Sequence, residues 1–147
     1  VGIYRRLGNG GDIEVLLLKC LSATPRPEDE IYYKLPGGRG EIGETPEKTA
    51  RRETKEETGL KIPEKVSLTL IYEGEIVREH RKHGFAVNRA FCKGSLHKRV
   101  YVDGHTRIVG HVWVSLDRAL ELILPSTSNS SQHDVLKALK ARSALLT

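Results

Sequence analysis

The sequence is 147 residues long, with 38% hydrophobic residues, 29% charged residues and a formal net charge of +5. This length and composition predict one folded domain over residues 1–147 and exclude a disordered chain. No stretch approaches the roughly 20 consecutive apolar residues of a membrane-spanning helix, so no membrane association is expected. The basic balance favours phosphate-bearing partners. Lysine and arginine are scattered except in REHRKH and HKR, however, so nucleic acid is not the expected partner.

The first part of the chain predicts a buried strand at residues 12–21 and another short strand at residues 31–36. Cys20 lies in the first strand, and Cys92 lies in a later apolar run. Neither cysteine has a partner at metal-ligand spacing. We expect both to be buried, reduced thiols, which favours a cytoplasmic protein.

Residues 46–58 predict a central helix. Thr45 is the expected N-cap, Pro46 takes the first helical position, and Gly59 ends the helix. Ala50 is the one aliphatic residue inside it. Burial of an apolar stripe is therefore not the main purpose of this helix.

Three carboxylates of this helix share one face, because Glu56 and Glu57 fall within about 60° of Glu53 around the helix axis. Each pair of like charges costs roughly 0.2 to 0.5 kcal/mol, and Arg52 can offset only part of the repulsion. A divalent cation such as Mg²⁺ or Mn²⁺ takes oxygen ligands and would offset the rest. The alternative is a solvated helix stabilised by Glu/Lys/Arg pairs.

The segment LPGGRGEIGE, which we call the glycine loop (residues 35–44), directly precedes this helix. Glycine allows backbone oxygens or a phosphate to approach closely. A loop of this kind leading into clustered carboxylates favours a metal-phosphate site over the solvated helix.

The rest of the chain predicts strands at 66–77, 85–92, 99–102 and 107–114, followed by two helices. Phe85, Val87 and Phe91 alternate and are expected to share one face of their strand. Ser115 is the expected N-cap of a helix that carries the stripe Leu116, Leu120 and Ile123, and a last helix is expected near 131–145. Strands around one helix, followed by two more helices, predict the α/β (α+β) class, with a mixed sheet covered on both faces.

From residue 38 to residue 60 the sequence resembles the signature of the Nudix hydrolases. The matching residues are Gly38, Glu44, Arg52, Glu53, Thr54, Glu56, Glu57, Gly59 and Leu60. Thr54 is the one departure, since the family has an aliphatic residue there that packs the helix onto the sheet. We therefore expect an under-filled contact at Thr54.

The resemblance implies a Nudix-type α/β/α sandwich with its Nudix box at residues 38–60. It also implies a pyrophosphohydrolase that uses water and Mg²⁺ or Mn²⁺ to cleave the diphosphate linkage of a nucleoside diphosphate joined to another group. The metal ligands implied by the resemblance are the Gly37 carbonyl and the carboxylates of Glu53, Glu56 and Glu57. Glu53 is also a candidate general base.

Other residues take supporting roles in this interpretation. Arg52 and Glu44 are expected to orient the metal-binding carboxylates, and Arg39 is a candidate for substrate contact. Asp103 is a candidate for an additional carboxylate from a later loop. Four histidines are expected to be surface or strand residues rather than ligands, namely His80, His83, His105 and His111.

The signature does not determine the substrate, which depends on residues outside it. Patterns typical of ADP-ribose pyrophosphatases, diadenosine polyphosphate hydrolases and the coenzyme A type are absent, which leaves a nucleoside triphosphate or related nucleotide, as in mutator-protein-like (MutT-like) enzymes. The alternative is a non-catalytic Nudix-fold module that senses nucleotides or binds RNA through REHRKHG and SLHKRV.

Overall fold

The structure is a computed structural model, and it describes residues 1–8, 11–22, 30–104, 106–123 and 130–146. These residues form seven strands, three α-helices and one short 3₁₀ helix, Arg89–Phe91. The strands are β1 Gly2–Arg6, β2 Ile13–Ser22, β3 Tyr32–Lys34, β4 Thr69–Val77, β5 His80–Asn88, β6 Tyr101–Asp103 and β7 Thr106–Ser115. The α-helices are α1 Pro46–Thr58, α2 Leu116–Leu122 and α3 Ser130–Arg142.

The strands form one sheet in the order β4-β5-β1-β2-β7-β6, and β3 also pairs with β2. β1 and β5 are parallel, whereas the other pairs are antiparallel, so the sheet is mixed. β2 lies at the centre because its nearly continuous apolar run can be buried on both faces.

Alternation along β2 divides the core between the two faces of the sheet. Val15 and Leu17 belong to a cluster that also contains Ala119 of α2 and Leu139 of α3. Leu16, between them, belongs to a second cluster that contains Ala50 of α1. α1 therefore covers one face, and α2 and α3 cover the other, which confirms the predicted α/β/α sandwich.

Local capping explains the bounds of α1, which match the prediction. The Thr45 side chain accepts a hydrogen bond from the Lys48 N–H, and Pro46 begins the helix. Gly59 ends it with a left-handed φ of 86°, and its N–H donates to the Lys55 carbonyl.

The strand predicted over residues 85–92 is wrong at its end. β5 stops at Asn88, whose side chain accepts a hydrogen bond from the Ala90 N–H and caps the 3₁₀ helix. Phe91 lies in that helix and is exposed, so it does not share a face with Phe85 and Val87. α3 ends at Arg142 and is shorter than the predicted helix near 131–145.

Cys20 and Cys92 are buried free thiols, as predicted. Burial raises the pKa of Cys20 to about 11. Within the described ranges, no helix has both the length and the apolarity to cross a membrane.

Thr54, the departure from the family signature, is fully buried. Its Oγ1 atom has no hydrogen-bond partner among the described residues. One turn later, Thr58 is equally buried, but its hydroxyl donates to the Thr54 carbonyl at 2.5 Å and accepts from the Leu60 N–H at 3.0 Å. Two threonines on one helix thus differ in whether their hydroxyl groups are satisfied.

We predict that Thr54→Val stabilises the protein by about 1 kcal/mol, because it replaces an unsatisfied buried hydroxyl with a methyl group of similar shape. Thr58→Val is the matched control and should destabilise by about 1 to 3 kcal/mol, because it leaves the Leu60 N–H without its acceptor. Urea denaturation of both variants measures the two changes. Equal destabilisation by both substitutions would contradict the assignment.

Candidate active site

The glycine loop contacts two buried carboxylates of α1. The Gly37 N–H donates to Glu57 Oε1 at 2.7 Å. A Cβ atom on Gly38 would lie 2.6 Å from Glu53 Oε1, so a side chain there would have to displace that carboxylate. Gly37 also has a φ of +152°, which side-chain-bearing residues rarely adopt. These two glycines allow the loop backbone to lie directly against Glu53 and Glu57.

Arg52 uses all five of its N–H donors in this region. Its Nε and Nη2 donate to the two oxygens of Glu44, at 2.8 and 3.0 Å. Its Nη1 donates to Glu53 Oε1 at 3.1 Å and to Glu56 Oε2 at 3.2 Å. The second Nη2 hydrogen bond goes to the Arg39 carbonyl, at 3.1 Å. One guanidinium group thus connects the glycine loop to two of the three clustered carboxylates.

Glu44 is held in place from three directions. Besides Arg52, the Glu41 N–H donates to Glu44 Oε1 at 2.7 Å, and the Thr49 hydroxyl donates to the same oxygen at 3.1 Å. The hydrogen bonds from Arg52 are the main reason that the pKa of Glu44 is lowered to about 2. Glu44 is therefore a carboxylate at all physiological pH values.

Glu57 is in a different electrostatic environment, because its side chain is fully buried. Burial raises its pKa to about 7, although Lys34 Nζ at 2.9 Å from Oε2 and the Gly37 N–H both favour the ionised form. A further positive charge beside Glu57 would stabilise the ionised form of this carboxylate.

Two histidines bind the carbonyl groups in the last turn of α1. His97 Nε2 lies 2.9 Å from the Glu56 carbonyl, and His111 Nε2 lies 3.1 Å from the Glu57 carbonyl. A carbonyl can only accept, so both Nε2 atoms are the donors. These contacts span 41 and 54 residues of sequence, and no local pattern indicates them. His111 is a strand residue, as predicted, but its contact with α1 was missed.

The structure brings Arg52, Glu44, Glu53, Glu56 and Glu57 together. The side chain of Arg39 is exposed, and only its carbonyl joins the network. His105 and the side chain of Asp103 lie outside the described residues, so their predicted roles are not addressed by the structure.

The carboxylates of Glu44, Glu53, Glu56 and Glu57, which we call the acidic cluster, fit a divalent cation in chemistry and charge. In the part of the chain that the structure describes, two cationic side chains, Arg52 and Lys34, form ion pairs with these four carboxylates. The cluster therefore carries excess negative charge when ionised, and all its donors are the oxygen atoms that Mg²⁺ prefers. Among the described residues, no three His, Cys, Asp or Glu side chains are already arranged as ligands of one ion.

A family model of the NUDIX domain matches residues 1–138. The chain belongs to the Nudix family. This result confirms the resemblance first seen in the glycine loop and α1 and makes the protein a Nudix hydrolase. Nudix hydrolases act on nucleotide substrates and generally use divalent metal ions.

Solved structures show the same Nudix fold. A MutT Nudix hydrolase from Burkholderia pseudomallei has a TM-score of 0.58 at 20% identity, covering 94% of this chain and 97% of that one. A C. elegans Ap4A hydrolase in a binary complex has a TM-score of 0.55 at 21% identity, covering 99% and 95%. The E. coli ORF135 protein has a TM-score of 0.60 at 20% identity, covering 98% and 89%. The comparison of this chain with curated proteins found no match.

We predict that the Arg52–Glu44 pair makes stability fall in acid. The folded-state pKa of Glu44 is about 2, below its ordinary value near 4.3. The pair therefore contributes its full stabilisation at pH values above about 4.3, and this stabilisation is lost as the pH falls from there through about 2. The difference in unfolding free energy between wild type and Glu44→Gln should therefore shrink between about pH 5 and pH 2.

Urea denaturation at a series of pH values measures this difference. Glu64→Gln is the control, because Glu64 is exposed and is not a partner of Arg52. Its difference from wild type should stay small over the same range. A Glu44→Gln difference that stays constant down to pH 2 would show that the ion pair does not stabilise the fold.

Proposed function

We propose that this Nudix domain is a metal-dependent pyrophosphohydrolase that cleaves the diphosphate linkage of a nucleoside diphosphate joined to another group. A nucleoside triphosphate or related nucleotide is the proposed substrate. The observation that carries the proposal is the acidic face of α1, where Glu53 and Glu57 are buried against the backbone of the glycine loop. Burying carboxylates costs free energy, which favours a role for these side chains beyond stability.

The Gly37 carbonyl, Glu53, Glu56 and Glu57 are the groups that would hold Mg²⁺ or Mn²⁺. The excess negative charge of the acidic cluster supports this role. When bound, the cation neutralises negative charge on the diphosphate and increases the acidity of a water molecule.

The protein side chains would orient the reactants and accept a proton. Arg52 holds Glu53 and Glu56 through Nη1, so that neither carboxylate rotates freely. Glu53 is the candidate to accept the proton from water as the water oxygen bonds to phosphorus and the bridging P–O bond breaks. Glu44 would act indirectly, by fixing the orientation of Arg52.

The fold and the sequence together indicate which substrates should be tested. MutT and Ap4A hydrolase structures share this fold at about one fifth identity, which does not select a substrate. Nucleoside triphosphates, dinucleoside polyphosphates and nucleotide sugars should therefore be assayed with Mg²⁺ for release of phosphate or pyrophosphate. Tight, salt-sensitive RNA binding without metal-dependent turnover would favour the non-catalytic module instead.

We predict that Mn²⁺ binds the acidic cluster. Calorimetric titration should show affinity at least about tenfold weaker for Glu56→Gln and Glu57→Gln than for wild type, since each loses one ligand charge. Glu47→Gln is the control, because it removes the same charge from an exposed position in the first turn of α1. Equal Mn²⁺ affinities in all four proteins would contradict the site.

We predict that Glu53→Gln lowers kcat on the best substrate by a factor of about 10² to 10⁴. The fold should survive, because the glutamine oxygen can still accept from Arg52. Thermal unfolding and Mg²⁺-dependent turnover should be measured on the same samples, with Glu47→Gln expected to stay within about twofold of wild type. Near-normal turnover per folded Glu53→Gln molecule would exclude Glu53 from catalysis.

A further inference from the structure

A cleft of about 600 Å³ opens on the α1 face of the sheet, beside the end of α1. Its walls come from β1, from β7, from the 3₁₀ helix and from the segment that follows that helix. The lining side chains used below are Arg5, Arg89, His97, Lys98, His111 and Trp113. We call this the Trp113 cleft. Its volume lies within the range of small-molecule sites.

The Trp113 cleft favours an anionic ligand. Three cationic side chains line it, and none of its lining residues is acidic. Arg89 donates to the carbonyls of Cys92 and Gly94, which hold the guanidinium in place without neutralising its charge. Lys98 is exposed. Part of the basic segment SLHKRV therefore lies in a concave site rather than on a flat surface.

The same cleft offers a surface for stacking a flat ring. The Arg5 guanidinium lies over the Trp113 ring, with Cζ 4.5 Å from the ring centroid. Glu14 on β2 fixes Arg5 through an ion pair of 2.7 Å. Planar guanidinium and indole groups are the side chains on which nucleobases stack in proteins.

Hydrogen bonds connect the Trp113 cleft to α1. His97 and His111 line the cleft, and both donate to carbonyls in the last turn of α1. Since a helix rises about 1.5 Å per residue, the Glu56 backbone lies roughly 5 Å along the axis from that of Glu53. A ligand in the cleft therefore lies next to the turn of α1 that carries Glu56 and Glu57.

We propose that the Trp113 cleft binds a nucleoside diphosphate or triphosphate, with its base against the Arg5–Trp113 pair and its phosphates against Lys98 and Arg89. This assignment deepens the proposed function and rests on it for the identity of the ligand as the nucleotide end of the substrate. The same chemistry would also bind a separate nucleotide that is not hydrolysed.

The test uses the fluorescence of Trp113, which is the only tryptophan in the sequence. ADP and ATP are titrated into the full chain in EDTA, so that binding is measured without turnover. We expect a saturable change in emission, and we expect inorganic tripolyphosphate to compete with ATP. Lys98→Glu should raise the Kd for ATP about tenfold, since it replaces an attractive charge with a repulsive one.

Lys137→Glu is the matched control, because Lys137 is exposed on α3, which covers the opposite face of the sheet. Its Kd for ATP should equal that of wild type. No saturable change in emission, or equal weakening by the two substitutions, would overturn the proposal. Tighter binding of a short oligouridylate than of ATP would also overturn it, in favour of a nucleic-acid surface.

Turnover measurements separate the two sources of the nucleotide. A higher KM in Lys98→Glu would identify the ligand as the substrate, whereas an unchanged KM with a raised Kd would identify a separately bound nucleotide. Glu53→Gln should retain ATP binding in EDTA. Binding without metal-dependent turnover in wild type would refute the hydrolase proposal alone, and turnover without binding would refute the cleft alone.

Discussion

The guanidinium group of Arg52 holds the glycine loop against the carboxylates of α1. Glu44 comes from the loop, Glu53 and Glu56 come from the helix, and the Arg39 carbonyl comes from the loop backbone. Five donors in a planar group satisfy all of these acceptors, whereas a lysine would supply three from one atom. Arg52 thus holds the loop over the helix together with the hydrogen bonds from the Gly37 N–H to Glu57 and from the Thr49 hydroxyl to Glu44.

The positive charges beside the acidic cluster only partly offset its negative charge. This remaining negative charge connects the fold to the proposed metal chemistry. Arg52 and Lys34 reduce the repulsion among the carboxylates, yet burial still raises the pKa of Glu57 to about 7. Such a site is stable enough to fold and retains an attraction for further positive charge. Nudix hydrolases generally use divalent metal ions, and in this chain the negative charge of the acidic cluster is the feature that supports the proposed metal binding.

The predictability of each element followed the range of the interactions that determine it. The bounds of α1 depend on Thr45, Pro46 and Gly59, which act within one turn, and the sequence predicts them correctly. β1 was not predicted. The hairpin turn at Arg78 and Glu79 is local but was not predicted either, because positive φ at these residue types is uncommon. The contacts of His97 and His111 with α1 depend on tertiary packing alone. Repulsion among the carboxylates was predictable, but the role of Lys34 in relieving it was not.

The order of the strands has a consequence for folding kinetics. β4 and β5 form a local hairpin, as do β6 and β7, but the centre of the sheet joins distant parts of the chain. Ile3 of β1 pairs with Val87 of the parallel strand β5, and Glu14 of β2 pairs with Ser115 of β7. Such pairs must overcome the loss of chain entropy before any contact stabilises them, so topologies of this kind fold slowly. The central strand β2 can pair with β1 and β3 early, but its neighbour on the other side is β7, which lies near the end of the chain, so one edge of this apolar strand is open to misassociation until most of the chain is available.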